Sequence, residues 1–174
     1  MVNNKSNMRT EAIFSDDMTH RFVLKKSWEN SKPTASIIMI SPSSRAGEVA
    51  IDMTTMYVQN NAFAQGFGSV DILNLYSKLD SNTLATCPEN DDWLLKSCQK
   101  SDKIILAWGK GQTARAVDHR IEEVIKLLSP CKDKLYEIAD QQGNRGLHPL
   151  ASSARLHWTL LPYQPNNKTS EQKK

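Results

Sequence analysis

Apolar residues recur along the chain in two patterns. Short apolar runs, SIIMI at 36–40, SVDILNL at 69–75, KIILAW at 103–108, LYEIA at 135–139 and WTLLPY at 158–163, read as buried strands. HRFVLKKSW at 20–28 alternates apolar and polar positions and predicts a half-exposed edge strand. Helical spacings lie between the runs. Asp52 is placed to cap a helix that runs to about Gln65 and ends at Gly66, gathering Met53, Met56, Tyr57, Asn60, Phe63 and Ala64 near one face. A second helix is predicted over 89–100. A third is predicted over 113–128, where Val117, Ile121, Val124, Ile125 and Leu128 repeat at helical spacing before Pro130 stops them.

This alternation predicts one α/β domain, a three-layer α/β/α sandwich with a central, mainly parallel sheet. Residues 1–19 read as an N-terminal extension and 20–164 as the domain; 165–174 form a polar tail expected to be disordered. A chain of 174 residues is long enough to bury a core without staples, and its 39% hydrophobic and 24% charged content is that of an ordinary globular protein. The first twenty residues have no apolar segment of a targeting signal, and no run approaches the roughly 20 apolar residues of a membrane span. The cytoplasm is therefore the expected compartment, with no membrane partner. Cys87, Cys98 and Cys131 are odd in number and widely spaced, which suggests neither a disulfide framework nor a metal site.

The net charge of +3 is mild, but residues 141–165 carry Arg145, Arg155, His148 and His157 and no carboxylate. That bias suits a polyanion partner, although two arginines are also what an ordinary surface carries.

In an open parallel sheet, residues just past the carboxyl ends of the strands converge on one crevice. Four polar groups fall at such places. They are Ser41-Pro42-Ser43, Asn74, Trp108-Gly109-Lys110 and the loop from Arg145 to Leu150. Taken alone, Ser41-Pro42-Ser43 reads as a surface turn, since Ser and Pro are common turn residues. Asn74 sits within the apolar ILNLY, where its amide must find partners for two donors and an acceptor. The backbone or a ligand could supply them.

The succession S-P-S, D-x-T, N-L, W-G and H-P-L resembles a bacterial domain-of-unknown-function family whose members show N-P-S-T-A-D, D-x-T, N-L, W-G and H-P-L in that order. That pattern is similar in turn to the uracil-DNA glycosylase superfamily. The likeness covers about residues 21–163. It implies a monofunctional DNA glycosylase without cofactor or metal, acting as a monomer on DNA with a modified base and leaving an abasic site. Asn74 would read the Watson–Crick edge of an extruded base, between Pro42, Ser43, Trp108 and Gly109. His148 would hydrogen-bond the base carbonyl as negative charge develops on the leaving base, with Pro149 fixing its loop. Lys110, Gly111, Arg115, Arg145 and Arg155 would meet the DNA backbone, with Leu147 or Leu150 as the wedge that flipping requires.

The chain departs from the family at Ser41, where the resemblance implies Asn. A hydroxyl can orient water but is not a strong base, so Asp52 is the candidate carboxylate for water or the sugar cation. Asp52 serves equally as a plain helix cap. Small side chains at Ser41 and Ser43 would leave room for a bulky modified pyrimidine. By analogy with glycosylases used in antiviral defence, glucosylated hydroxymethylcytosine of viral DNA is the first to test. The alternatives are a non-catalytic nucleic-acid or nucleotide binding module, and an N-glycosidase acting on free nucleosides or nucleotides.

Overall fold

A computed structural model of the chain describes residues 1–43, 47–80, 84–110 and 115–165. The predicted disordered tail falls almost wholly outside these, as do Gly111 and the first two residues of the predicted third helix. Among the described residues seven strands form one sheet: β1 (Arg9–Phe14), β2 (Arg21–Ser27), β3 (Thr34–Met39), β4 (Ser69–Asn74), β5 (Lys103–Leu106), β6 (Leu135–Ala139) and β7 (Thr159–Pro162). Three α-helices accompany them, α1 (Met53–Ala64), α2 (Pro88–Lys100) and α3 (Arg115–Leu127), with a 3₁₀ turn over Ser129–Lys134 leading into β6.

The strand order is β1-β2-β4-β3-β5-β6-β7. The four strands β4, β3, β5 and β6 run parallel, while β1, β2 and β7 join antiparallel at the flanks. The sheet is therefore mixed, not mainly parallel. The run at 20–28 is also not an edge. As β2 it lies between β1 and β4, with Phe22, Val23, Leu24 and even Lys26 buried. The edge beyond it is β1, drawn from the segment expected to be an extension.

Two apolar cores lie on the sheet. Ile38, Leu73, Ile104 and Leu106 pack with Leu94 and Cys98 of α2 and Val117 and Val124 of α3. Ile37, Ile72, Ile105 and Ile138 pack with Val58 and Ala62 of α1 and with Ala154 and Trp158 of the segment before β7. The alternation of strand side chains sends neighbours such as Ile37 and Ile38 to opposite cores.

Helix α1 begins as expected: Asp52 Oδ1 accepts from the Thr55 amide at 2.7 Å. Its buried face, however, is Thr55, Val58, Asn61 and Ala62, and the predicted face is turned outward, with Met53 58% and Phe63 62% exposed. Asn61 explains the choice. Its Nδ2 donates to the carbonyls of Tyr57 and Arg155, and its Oδ1 accepts from the Trp158 amide at 2.9 Å. A polar side chain thus docks the helix onto the segment before β7, against the apolar periodicity.

Candidate active site

The parallel strands leave in opposite directions from the centre of the sheet. From β3 the chain crosses through α1 to β4, and from β5 through α3 to β6 on the other side. Such a reversal opens a crevice at the carboxyl ends of the strands. On the α1 side lies a cavity of about 270 Å³, lined by Ser41, Pro42 and Ser43 after β3, Asp52, Thr54 and Thr55 at the start of α1, Asn74 at the end of β4, His148, and Arg21. Six sequence-predicted residues meet here: Ser41, Pro42, Ser43, Asp52, Asn74 and His148.

Asn74 is 2% exposed, and its Nδ2 has no hydrogen-bond partner among the described residues. Its backbone carbonyl is served separately, by Asn90 Nδ2 at 3.0 Å. A buried amide donor without a partner costs on the order of 1–3 kcal/mol, and one facing a cavity is satisfied when an acceptor enters.

His148 is half-buried, and its Nδ1 accepts from the Leu150 amide at 3.1 Å. An imidazole nitrogen that accepts carries no proton, so in the neutral ring the proton sits on Nε2. Burial lowers the His148 pKa below its ordinary value and favours this neutral form. The side chain is a neutral N–H donor on the cavity wall.

Its loop is shaped from within. After β6 the carboxylate of Asp140 accepts from the Asn144 side chain at 2.8 Å and from the Asn144 and Gln142 amides at 2.9 and 3.1 Å. These bonds, led by that to the Asn144 side chain, hold the Asp140 pKa below the usual carboxylate range. The chain then returns along β6, where the Leu147 amide donates to Ile138 O at 3.0 Å.

Arg21 was not among the expected site residues. It is 3% exposed, and its Nη1 donates to the Ser43 carbonyl at 3.3 Å. Burial pulls its pKa down, while the Asp52 and Glu48 carboxylates pull it back up. Because β2 is antiparallel to β4, its first residue lies at the same sheet edge as the last residues of β3 and β4. The only sequence signal is an arginine heading an apolar run, and it gains meaning once strand direction is known.

The remaining expected residues lie elsewhere. Trp108, Gly109, Lys110 and Arg145 line a neighbouring open cleft of about 1060 Å³ together with Tyr163 and residues of α3. Gly109 nonetheless touches the back of His148. Leu147 packs against the α1-side core, whereas Leu150, 38% exposed, is available at the surface. Arg115 and Arg155 are exposed. No cluster of metal-ligating side chains occurs among the described residues, and no helix among them is long and apolar enough to cross a membrane.

Comparison with known proteins finds no match among curated proteins and none among solved structures. The model of one family, described as a protein of unknown function (DUF1643), matches residues 21–150. That span opens on Arg21 and closes just past His148, so it encloses every residue lining the cavity. The chain belongs to the DUF1643 family.

Proposed function

We propose that the chain is a DNA glycosylase that flips a modified pyrimidine out of DNA and hydrolyses its N-glycosidic bond. The observation that carries this reading is the meeting of a buried amide, Asn74, whose Nδ2 has no partner among the described residues, and a neutral imidazole donor, His148, on one small cavity at the strand ends. Such a pair suits a heterocycle with acceptor atoms on its edge. As the bond breaks, its electron pair leaves with the base, and His148 Nε2–H donates to the carbonyl oxygen that takes up the charge. The sugar becomes cationic. Asp52, whose Oδ1 caps α1, carries the negative charge that stabilises the cation and, with the Ser41 hydroxyl, orients the water that adds at the sugar carbon; the proton this water loses passes by way of the Asp52 carboxylate to solvent, and the departed base anion takes up one in turn. The products are free base and an abasic site. We read the sheet, with helices against both of its cores, as a uracil-DNA glycosylase-like three-layer sandwich acting as a cytoplasmic monomer. Lys110, Arg115 and Arg155 are the phosphate contacts and Leu150 the wedge in this reading.

A second reading has an observation in its favour. In the neighbouring cleft Lys110, Lys126 and Arg145 are matched by Asp118, Glu122 and Glu137, which makes a poor track for a polyanion. An N-glycosidase for free nucleosides or nucleotides needs the same cavity without that track.

The test is incubation with DNAs carrying different pyrimidine modifications, glucosylated hydroxymethylcytosine first, with mass spectrometry of released bases and alkaline cleavage of the DNA. Released base with matching alkali-labile sites supports the glycosylase. Base released from mononucleotides alone supports the second reading, and no release from any substrate leaves a binding module.

A further inference from the structure

The loop that carries His148 is clipped to the sheet by a charge pair that takes no part in lining the cavity. Glu137, in β6, is 8% exposed, and its Oε1 accepts from Arg145 Nε at 2.7 Å. Arg145 Nη2 also donates to the carbonyl of Pro162 in β7. One guanidinium thus ties the returning loop to two neighbouring strands from separate nitrogens of a rigid planar fork, a fixed geometry that the single nitrogen of an ammonium does not provide.

Little slack separates this clip from His148. Gly146 takes φ +67°, and a Cβ there would lie 3.4 Å from Glu137 Oε2. Next, the Leu147 amide is bonded to Ile138 O at 3.0 Å. His148 follows directly, its back against Gly109, its Nδ1 accepting from the Leu150 amide and its carbonyl accepting from the Ala151 amide at 2.8 Å. The tautomer of the ring rests on one backbone amide reaching Nδ1 within the turn at 148–150, and that turn follows directly on the residues bonded to β6.

We propose that Glu137 and Arg145 are positioning residues for His148: their ion pair holds the register of residues 145–148 that keeps the imidazole proton on Nε2. The inference rests on the reading of His148 as the donor to a departing base, and it assigns Arg145 to the loop instead of to DNA phosphate. A ring released from this register would share its proton between both nitrogens and present an acceptor where the carbonyl needs a donor. Misplacement of a reacting group by about 1 Å can cost on the order of 100-fold in rate.

The experiment is ¹⁵N NMR of the imidazoles in the full chain, with the His148 signals identified by their absence in His148→Gln. The unsubstituted protein is expected to show a single neutral tautomer protonated on Nε2. Arg145→Met is expected to mix the tautomers and slow single-turnover base release by at least about 10-fold, with DNA affinity within about 2-fold. Arg145→Lys should fall between. Should Arg145→Met fail to fold because it strands a buried carboxylate, Glu137→Gln/Arg145→Met removes both charges and takes its place. A folded variant with the tautomer unchanged overturns the proposal, and a loss of DNA affinity with that unchanged tautomer returns Arg145 to the phosphates. A tautomer shift in Arg145→Met, where the unsubstituted protein itself releases no base, supports the pairing and sinks the glycosylase reading. Normal release with an unchanged tautomer does the reverse.

Discussion

Gly109 and His148 meet back to back: Gly109 holds φ +84°, and a Cβ built on it would lie 3.1 Å from His148 Cβ. The strand-end turn after β5 and the loop after β6 therefore touch through a residue that has no side chain to spare. Gly109→Ala should cost roughly 1–2 kcal/mol from the left-handed backbone alone. It should also push His148 from its place and lower base release more than the lost stability explains. Thermal melting and single-turnover release, measured on the same samples below the melting range, separate the two effects.

His148→Ala is expected to lower base release by about 100-fold, the usual cost of losing one oxyanion donor, with folding intact. The pH dependence follows from burial. The folded-state pKa of His148 lies below its ordinary value of 6.5, so above that value the residue is neutral in both folded and unfolded chains. Below it the unfolded chain takes up the proton first, and stability falls with falling pH until the lowered folded value is passed. Activity should stay flat across neutral pH and decline only on the acid side of 6.5. Melting temperature against pH for the unsubstituted protein and His148→Ala checks the sign: the acid destabilisation should be smaller in the variant.

Asn74→Leu tests the unpartnered amide. Removing a buried donor that has no partner among the described residues should leave stability unchanged or raise it by about 1 kcal/mol, while base release is lost. Asn74→Asp, which replaces two donors by acceptors, should change which base is released. Equal loss of stability and activity in both variants would make Asn74 a structural amide.

Asp52→Asn keeps an oxygen for the Thr55 amide and removes the charge. Release should fall while the melting temperature barely moves; Asp52→Ala should in addition lose about 1 kcal/mol with the cap. Ser41→Asn should slow release of a bulky modified base more than a small one. Matched oligonucleotides carrying the two bases, read in single turnover, decide the comparison.

Features set by neighbours in sequence were legible from the chain. The apolar runs of β3 to β6, the Asp52 cap and the stop of α1 at Gly66 are local events, governed by backbone geometry and by bonds within a few residues. The polar residues at strand ends were legible for a related reason: once the parallel units are recognised, the direction of each strand carries Ser41, Asn74 and His148 to one sheet edge.

What only tertiary structure decided were choices between locally equivalent options. The two sides of α1 each carry apolar residues, and the side that faces inward was chosen by Asn61 bonding a segment almost a hundred positions away. The strand of residues Arg21–Ser27 alternates like an edge, yet β1 covers its open side, and its antiparallel pairing with β4 on the other side brings Arg21 to the cavity. Arg145 has the composition of a phosphate contact, but Glu137 and the Pro162 carbonyl hold it against the sheet. A sequence shows which charges and amides the chain carries. Which of them are buried, and what then satisfies them, depends on partners that only folding brings within hydrogen-bond reach.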